Sequence, residues 1–486
     1  MKRYIRYISA MSLVLLLLFT SCKKFLAGDV NINPNRASNV SLNTLLPAVL
    51  ESTSSNHYQV GTRTSIFAQQ LAAYTSGPFD DDQNRNVRMA TAFQELYQNA
   101  LSNLDYLVDK ATTDNAPHYA GIGKILQTIN LGMATDVWGS VPFSEAFEGT
   151  ANLYPGYDDQ QAVYPLLQKN LDEAIALLQQ PPGTIRPRND DLIYQGSALK
   201  WIKTANVLKA RLAMHLTKKG AAAAANQALG FFANAYANNT EDMQLIYNDR
   251  NLNPWHRNVS VLLKSGNFRV APSVKFVDAM NGTIYPGLVD PRLPFLMFKA
   301  PANPWRGMQN GAGTGSLVDL TDATYYTKPS SPMIMVSYAE QKFLEAEARF
   351  LANGGSVTST GSTDEAYNAY IGGITAHMDK VGVAAGDKSA YLGNALVAVT
   401  PAGLTLELIM KEKFIATYLH PETWVDVRRY DYNANIYKGM ALPLGQDPAM
   451  NGQFIRRVMY PLDEINRNPK ASAAEKKLTD KVWWDQ

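Results

Sequence analysis

The chain has 486 residues, 46% hydrophobic and 18% charged, with 45 Lys and Arg against 43 Asp and Glu for a formal net charge of +2. That length can bury a sizeable core, and the near-neutral balance lacks the basic excess that phosphate neutralisation requires, which excludes nucleic acid as a partner. Cys22 is the only cysteine, so the sequence offers neither an internal disulfide nor a multi-thiolate metal site.

At the start of the chain, Lys2, Arg3 and Arg6 precede an apolar segment from about Met11 to Phe19, the order of a secretory signal. The segment is shorter than the ~20 residues of a membrane span. Thr20-Ser21-Cys22 resembles a bacterial lipobox, with Phe19 where Leu, Val or Ile is commoner. That resemblance implies cleavage before Cys22, a diacylglyceryl group on its sulfur and a third acyl chain, of the palmitate type, on the new N-terminus. At ~0.8 kcal/mol per buried methylene, two or three chains anchor a protein almost permanently. Residues 1–21 are therefore expected to be a lipoprotein signal peptide. Residues 22–43 then form a lipidated tether, dense in turn formers such as Asp29, Asn31, Asn33, Pro34 and Asn35. Losing residues 1–21 removes three basic residues and leaves a near-neutral chain.

Helical periodicity then takes over. Leu45, Leu46, Val49 and Leu50 open a helix, and Ile66, Phe67, Gln70, Leu71 and Tyr74 repeat the pattern until Gly77-Pro78. Phe79 to Asn84 reads as an exposed loop. Its Asp80-Asp81-Asp82 lacks the alternating ligand spacing of a calcium loop, so a solvated acidic turn is expected and no metal. Further helices are predicted over about Thr91–Ala111, Tyr119–Val137, Asp159–Gln179, Leu199–Leu216 and Ala221–Tyr236. The third carries one clear stripe of Val163, Leu166, Leu167, Leu171, Ala174, Ile175 and Leu178. Between about Thr240 and Pro332 the prolines are too dense for helices, and loops with short strands are expected. Helices return at Tyr338–Leu351, about Asp364–Val381 and Thr405–Tyr418, with a flexible loop at Ser356–Ser362. The fold class is mostly α: tetratricopeptide-like helix pairs forming a scaffold from 44–239 and 333–486, with an irregular lobe at 240–332, all in one domain spanning 44–486.

Several stretches resemble the SusD/RagB outer-membrane lipoproteins, in particular the SusD-like branch. They are Cys22-Lys23-Lys24-Phe25-Leu26, Asn31-Ile32-Asn33-Pro34-Asn35, Thr135 to Ala146, Trp201 to Leu212, Asp290-Pro291-Arg292, Tyr338-Ala339-Glu340 with Glu345 to Ala348, Lys411 to Arg429, and Arg457 to Asn468. The resemblance implies that the irregular lobe binds ligand. It also implies a partner, a SusC-like TonB-dependent barrel over which the lipoprotein sits as a hinged lid. The cargo would be an oligosaccharide, or in some members an oligopeptide, and the location the outer membrane, lipid-anchored and facing outward. Surface export in such proteins is linked to acidic residues after the cysteine, and here Lys23-Lys24 stand there.

A sugar site needs flat apolar faces with amides, carboxylates or guanidinium groups beside them. The loop aromatics nominate Tyr74, Phe79, Trp255, Tyr285 and Trp305, with Arg306 as a polar companion, each with the alternative of plugging its loop onto the core. Glu422, Asp426, Arg428 and Arg429 read as an ion-pair network around Trp424, serving fold or lid contact. The histidines are scattered, with no HExxH, nucleophile elbow or P-loop, so no catalytic residue or cofactor is expected. Two other readings stay open: a surface glycoside hydrolase, whose paired carboxylates leave no sequence spacing, and a helical scaffold that binds only proteins.

Overall fold

The structure, a computed structural model, describes residues 40–486, so the signal, the lipobox with Cys22 and the Asn31–Asn35 motif lie outside the described residues. Its organising element is α1 (Leu42–Phe67), buried on nearly every side. Such a helix must satisfy its polar side chains internally. Asn56 donates to Asn130 at 2.8 Å, and Asn130 donates in turn to Thr53 at 2.8 Å. This polar seam fixes α1 against the later helix that carries Asn130.

Around α1 the helices stack in sequence order. The second, α2, runs from Ala90–Gln94 through a π-helical stretch, Glu95–Leu101, into Ser102–Thr113. Then come α3 (Pro117–Trp138), α4 (Gln160–Leu178), α5 (Ala198–His215) and α6 (Ala221–Leu229). The scaffold resumes with α7 (Tyr338–Ala352), α8 (Asp364–Val381), α9 (Leu406–Ala416) and α10 (Glu422–Arg429). Each of α2 to α6 packs on its successor, α6 packs on α7, and α7 packs on both α8 and α9. This is the expected mostly α, tetratricopeptide-like architecture. The stripe on α4 does what its spacing requires, placing Val163, Leu167, Leu171, Ala174 and Leu178 in the core.

The segment between α6 and α7 is held by three short antiparallel ribbons. β1 (Leu71–Ala73) pairs with β3 (Val270–Pro272), β2 (Met243–Leu245) with β6 (Met333–Val336), and β4 (Phe298–Lys299) with β5 (Val318–Asp319). Four expectations change here. Residues 240–332 are not free of helix: short helical turns at Val261–Lys264, Val274–Asp278 and Leu293–Leu296 fit between the prolines, the last with Pro294 in its first turn, where its missing N–H costs nothing. Gln70, Leu71 and Tyr74 do not extend a helix: the chain turns at Gln69, with φ 58°, and enters β1 because a strand partner waits near residue 270. Phe79–Asp82 is a single helical turn instead of an exposed loop, and Asp82 is buried at 1% exposure. The helix expected to reach Tyr236 stops at Leu229, where Gly230 leads into a 3-10 turn, Phe232–Asn234.

Buried ion pairs lock the scaffold. Glu347 of α7 receives Arg429 at 2.7 and 3.1 Å and Lys413 at 3.4 Å, and Arg429 and Lys413 also hold Asp426, at 2.5 and 3.0 Å. Burial alone would raise the Glu347 carboxyl, but the two cations outweigh it and hold it down at about 2. Arg211 of α5 grips Glu340 of α7 through two bonds of 2.7 Å. In the proline-rich lobe, Arg292 bonds Asp290 at 2.6 Å and Glu412 of α9 at 2.5 Å, tying lobe to scaffold. Removing one partner from such a cluster strands the others away from water. Glu347→Ala should therefore cost about 3–5 kcal/mol, measured as a shift in urea midpoint, and a loss under about 1 kcal/mol would show that these charges are solvated.

Candidate ligand-binding site

The ribbons bring distant loops to one face. Tyr74 follows β1 and its backbone N–H donates to Arg269 O at 3.1 Å. Its ring lies 5.3 Å from that of Phe268, which is 42% exposed, and its hydroxyl donates to Asp319 Oδ1 at 3.2 Å. Burial, and the neighbouring Asp319 carboxylate, push the Tyr74 phenol up, so it stays a neutral donor. Asp319 stands opposite Phe298, itself 43% exposed, across the β4–β5 ribbon. Leu317 N donates to Arg306 O at 2.9 Å, so Trp305 and exposed Arg306 border the same ribbon, with Lys299 Nζ 5.4 Å from the Trp305 ring.

Beside Tyr74, Gly313 makes a close approach that only glycine permits. Its φ is +75°, and a Cβ there would come within 2.6 Å of Thr75 and 2.9 Å of the Phe79 ring. Phe79 therefore packs against Gly313, the residue that bridges Tyr74. Beside them a cleft of about 190 Å³ opens between α1 and the helical segment 256–264 with the strand entry at Arg269, lined by Gln59, Thr62, Arg63, Asn258 and Arg269. Arg63 is oriented by Asp81 at 2.6 Å, and Arg269 by Ser76 O at 2.8 Å. The assembly joins half-exposed aromatic faces to guanidinium, amide and hydroxyl groups.

Of the residues nominated by sequence, Tyr74, Phe79, Trp305 and Arg306 lie on or beside this face. Trp255 does not: its ring is 2% exposed and stands edge-on to Tyr58 at 4.9 Å, so it plugs its loop into the core. Tyr285 is 8% exposed and its hydroxyl donates to Glu407, which leaves it little surface to offer. Phe268, Phe298, Asp319, Arg63 and Arg269 were missed. The signal for Phe268 and Arg269 was present in Ser265-Gly266-Asn267, a turn sequence that throws the next side chain outward.

Asp82 joins the parts. It accepts from Ala73 N at 3.0 Å, Asn310 Nδ2 at 2.7 Å and Gly311 N at 2.8 Å, pinning β1 to the loop that carries Gly313. Burial pushes its carboxyl up to about 6 against the pull of those donors. Of the acidic triplet only Asp80 is solvated, while Asp81 is paired with Arg63 and Asp82 is enclosed. Among the described residues, Asp136, His215 and Glu422 also converge closely enough to hold a metal. Their ligand atoms are engaged: Asp136 Oδ1 accepts from Tyr164 at 2.6 Å and Trp484 at 2.8 Å, and Glu422 contacts His215 at 2.7 Å and Arg211 at 3.9 Å. Hydrogen bonds, with no need of an ion, knit this triad.

Fold and face together define a helical-repeat scaffold presenting an aromatic loop surface. The sequence profile of the SusD-like family described as "Starch-binding associating with outer membrane" matches residues 34–461, and the chain belongs to that family. No curated protein matches it. Among solved structures it is similar to a SusD homologue from Bacteroides uniformis, 19% identical with a TM-score of 0.75 over 92% of this chain and 100% of that one. A chitin-binding SusD homologue from Flavobacterium johnsoniae is 19% identical, with a TM-score of 0.70 over 92% and 97% of the two chains. A protein described as chitin-binding is 24% identical, with a TM-score of 0.74 over 92% and 100%. At these identities the likeness is one of fold. Among the described residues no helix is long and apolar enough to cross a membrane.

The Asp82 clamp makes a pH prediction. The folded state holds this proton more tightly than an unfolded carboxyl near 3.8, so the contribution of Asp82 to stability falls as pH rises through about 6. Asp82→Asn should flatten that part of the stability curve. It should also cost about 1–3 kcal/mol, because one N–H loses its acceptor. Urea midpoints from pH 4 to 7 on both chains test this, and parallel curves would sink it.

Proposed function

We propose that the protein is a cell-surface lipoprotein, anchored through Cys22, that captures oligosaccharides on the Tyr74 face and passes them to a SusC-like TonB-dependent outer-membrane transporter. The observation that carries the ligand class is the juxtaposition of Tyr74 and Phe268 with a cleft of guanidinium and amide groups. Pyranose rings offer flat C–H faces for stacking and hydroxyls that need donors and acceptors at their edges. The family description, and the chitin-binding names among the similar structures, favour the same class.

Binding is favoured over hydrolysis because the carboxylates of the face are already committed. Asp81 is paired with Arg63, Asp319 accepts from Tyr74, and Asp82 is enclosed by three donors. A glycosidase needs one carboxyl to give a proton and another to attack or to activate water. A carrier needs neither. Its ligand should be held modestly, so that transfer to the barrel competes with retention.

The test is calorimetric titration of the full chain in detergent with chitohexaose, maltoheptaose and mixed oligopeptides. Saccharide binding should weaken about tenfold in Tyr74→Ala and in Trp305→Ala, the loss of one stacking contact of ~1–1.5 kcal/mol. Trp255→Ala should instead lower stability by about 3–5 kcal/mol, because it empties a core site. Peptide binding without saccharide binding would overturn the ligand class, and turnover of either saccharide would overturn the carrier role.

A further inference from the structure

A second cavity lies on the scaffold, built from none of the residues of the Tyr74 face. It encloses about 510 Å³ between α2, the loop after α3 and the segment after residue 460, with Phe93, Tyr97, Phe147, Gln98, Glu464 and Arg467 in its lining. Its floor is aromatic. Phe93 and Tyr97 stack at 4.6 Å and 29°, and Tyr97 and Phe147 lie nearly parallel at 6.3 Å and 26°. Tyr97 is locked by donation to Pro142 O at 2.9 Å.

Two departures from regular backbone converge on these rings. Tyr97 sits within the π-helical stretch Glu95–Leu101, an arrangement rarely longer than a single turn and frequent at functional sites. Phe147 has φ 68°, in the left-handed region that an aromatic residue enters only when its surroundings enforce it. The enforcement is visible. Asp158 accepts from Phe143 N at 3.0 Å, Ser144 N at 2.7 Å and Ser144 Oγ at 2.6 Å, while Glu145 accepts from Gly156 N and Lys470 at 2.8 Å each. Two carboxylates thus hold the loop that sets the Phe147 ring against Tyr97.

The polar rim is matched to a neutral ligand. Gln94 donates to Gln98 Oε1 at 3.0 Å, which leaves the Gln94 carbonyl and the Gln98 amide as an acceptor and a donor side by side. Glu464 accepts from Tyr157 at 3.0 Å and stands near Arg467, so carboxylate and guanidinium share the opposite edge. Pro142, Pro155 and Pro461 supply rigid apolar walls.

We propose that this cavity is a second saccharide site, taking a neutral pyranose unit stacked on the Tyr97 and Phe147 rings. The inference rests on the saccharide reading of the Tyr74 face for its ligand class. The experiment is titration of the full chain in detergent with chitohexaose and maltoheptaose, on the unaltered protein and on Phe147→Ala, Gln98→Ala and Tyr74→Ala. The unaltered chain should take two equivalents of one saccharide, and Phe147→Ala should take one. Gln98→Ala, an exposed change that spares the fold, should weaken one of the two sites about three- to tenfold. A single equivalent that is lost in Tyr74→Ala and untouched by Phe147→Ala and Gln98→Ala overturns the second site and leaves the first. A single equivalent lost in Phe147→Ala but kept in Tyr74→Ala upholds the scaffold site and overturns the face. No binding of either probe by the unaltered chain overturns both.

Discussion

Glu347 lies fully buried between Arg429 and Lys413, and the short segment that supplies those cations also supplies Glu412, Glu422, Asp426 and Arg428, all buried. Asp426 pairs within the segment, and the other three face different parts of the molecule. Glu412 meets Arg292 of the loop-rich lobe, Glu422 meets His215 and Arg211 of α5, and Arg428 donates to Asp136 O of α3 while stacking on Trp424 at 3.7 Å and Trp484 at 4.7 Å. Burial would push the Glu422 carboxyl up, yet His215 and Arg211 hold it well below the usual carboxylate range. Such clusters add little net stability over a hydrophobic core, but any packing that leaves one member alone is heavily penalised. The α9–α10 segment therefore selects one relative placement of α3, α5, α7 and the lobe.

The binding face inherits that placement. Arg292 sets the lobe on α9. Gln70, just past α1, donates to Phe414 O at 2.7 Å and accepts from Leu419 N at 3.0 Å, so β1 starts from a position fixed by the same segment. Asp82 and Gly313 then tie the Gly313 loop to both Tyr74 and Phe79. Aromatic side chains positioned this way need little rearrangement to receive a ligand, which lowers the entropic cost of binding.

The helices were legible because burial against a neighbour imposes a 3.6-residue repeat, and α4 and α7 display it plainly. In the proline-dense stretch the breakers were legible, but the short helices Val261–Lys264, Val274–Asp278 and Leu293–Leu296 that fit between them were not. What could not be read depends on partners far along the chain. The apolar spacing of Gln70, Leu71 and Tyr74 suits a helix until residues 270–272 arrive to pair with it. Trp255 follows Pro254 in a stretch with every mark of a surface loop, and only its fit against Tyr58 decides that it is buried. Half of the charge network was visible in Glu422 to Arg429, but its counterparts on α3, α5 and α7 carry no mark that distinguishes them from solvated charges. The face itself was half visible: Tyr74, Phe79 and Trp305 stand in breaker-rich sequence, whereas Asp319 matters only because it meets a tyrosine hydroxyl almost 250 residues earlier.

β1 pairs with a strand about two hundred residues away, and Asp82 clamps a loop more distant still. Each closure loses the entropy of a long loop before any contact repays it, so the helix pairs, whose contacts are local, form ahead of the face. Its ribbons are only two or three residues long, so few backbone hydrogen bonds join the segments of the face. In the proposed role, a ligand spanning Tyr74 and Trp305 would act as a temporary cross-link between segments the chain joins only through short ribbons, and occupancy would be written into the motion of the lobe with the scaffold unchanged.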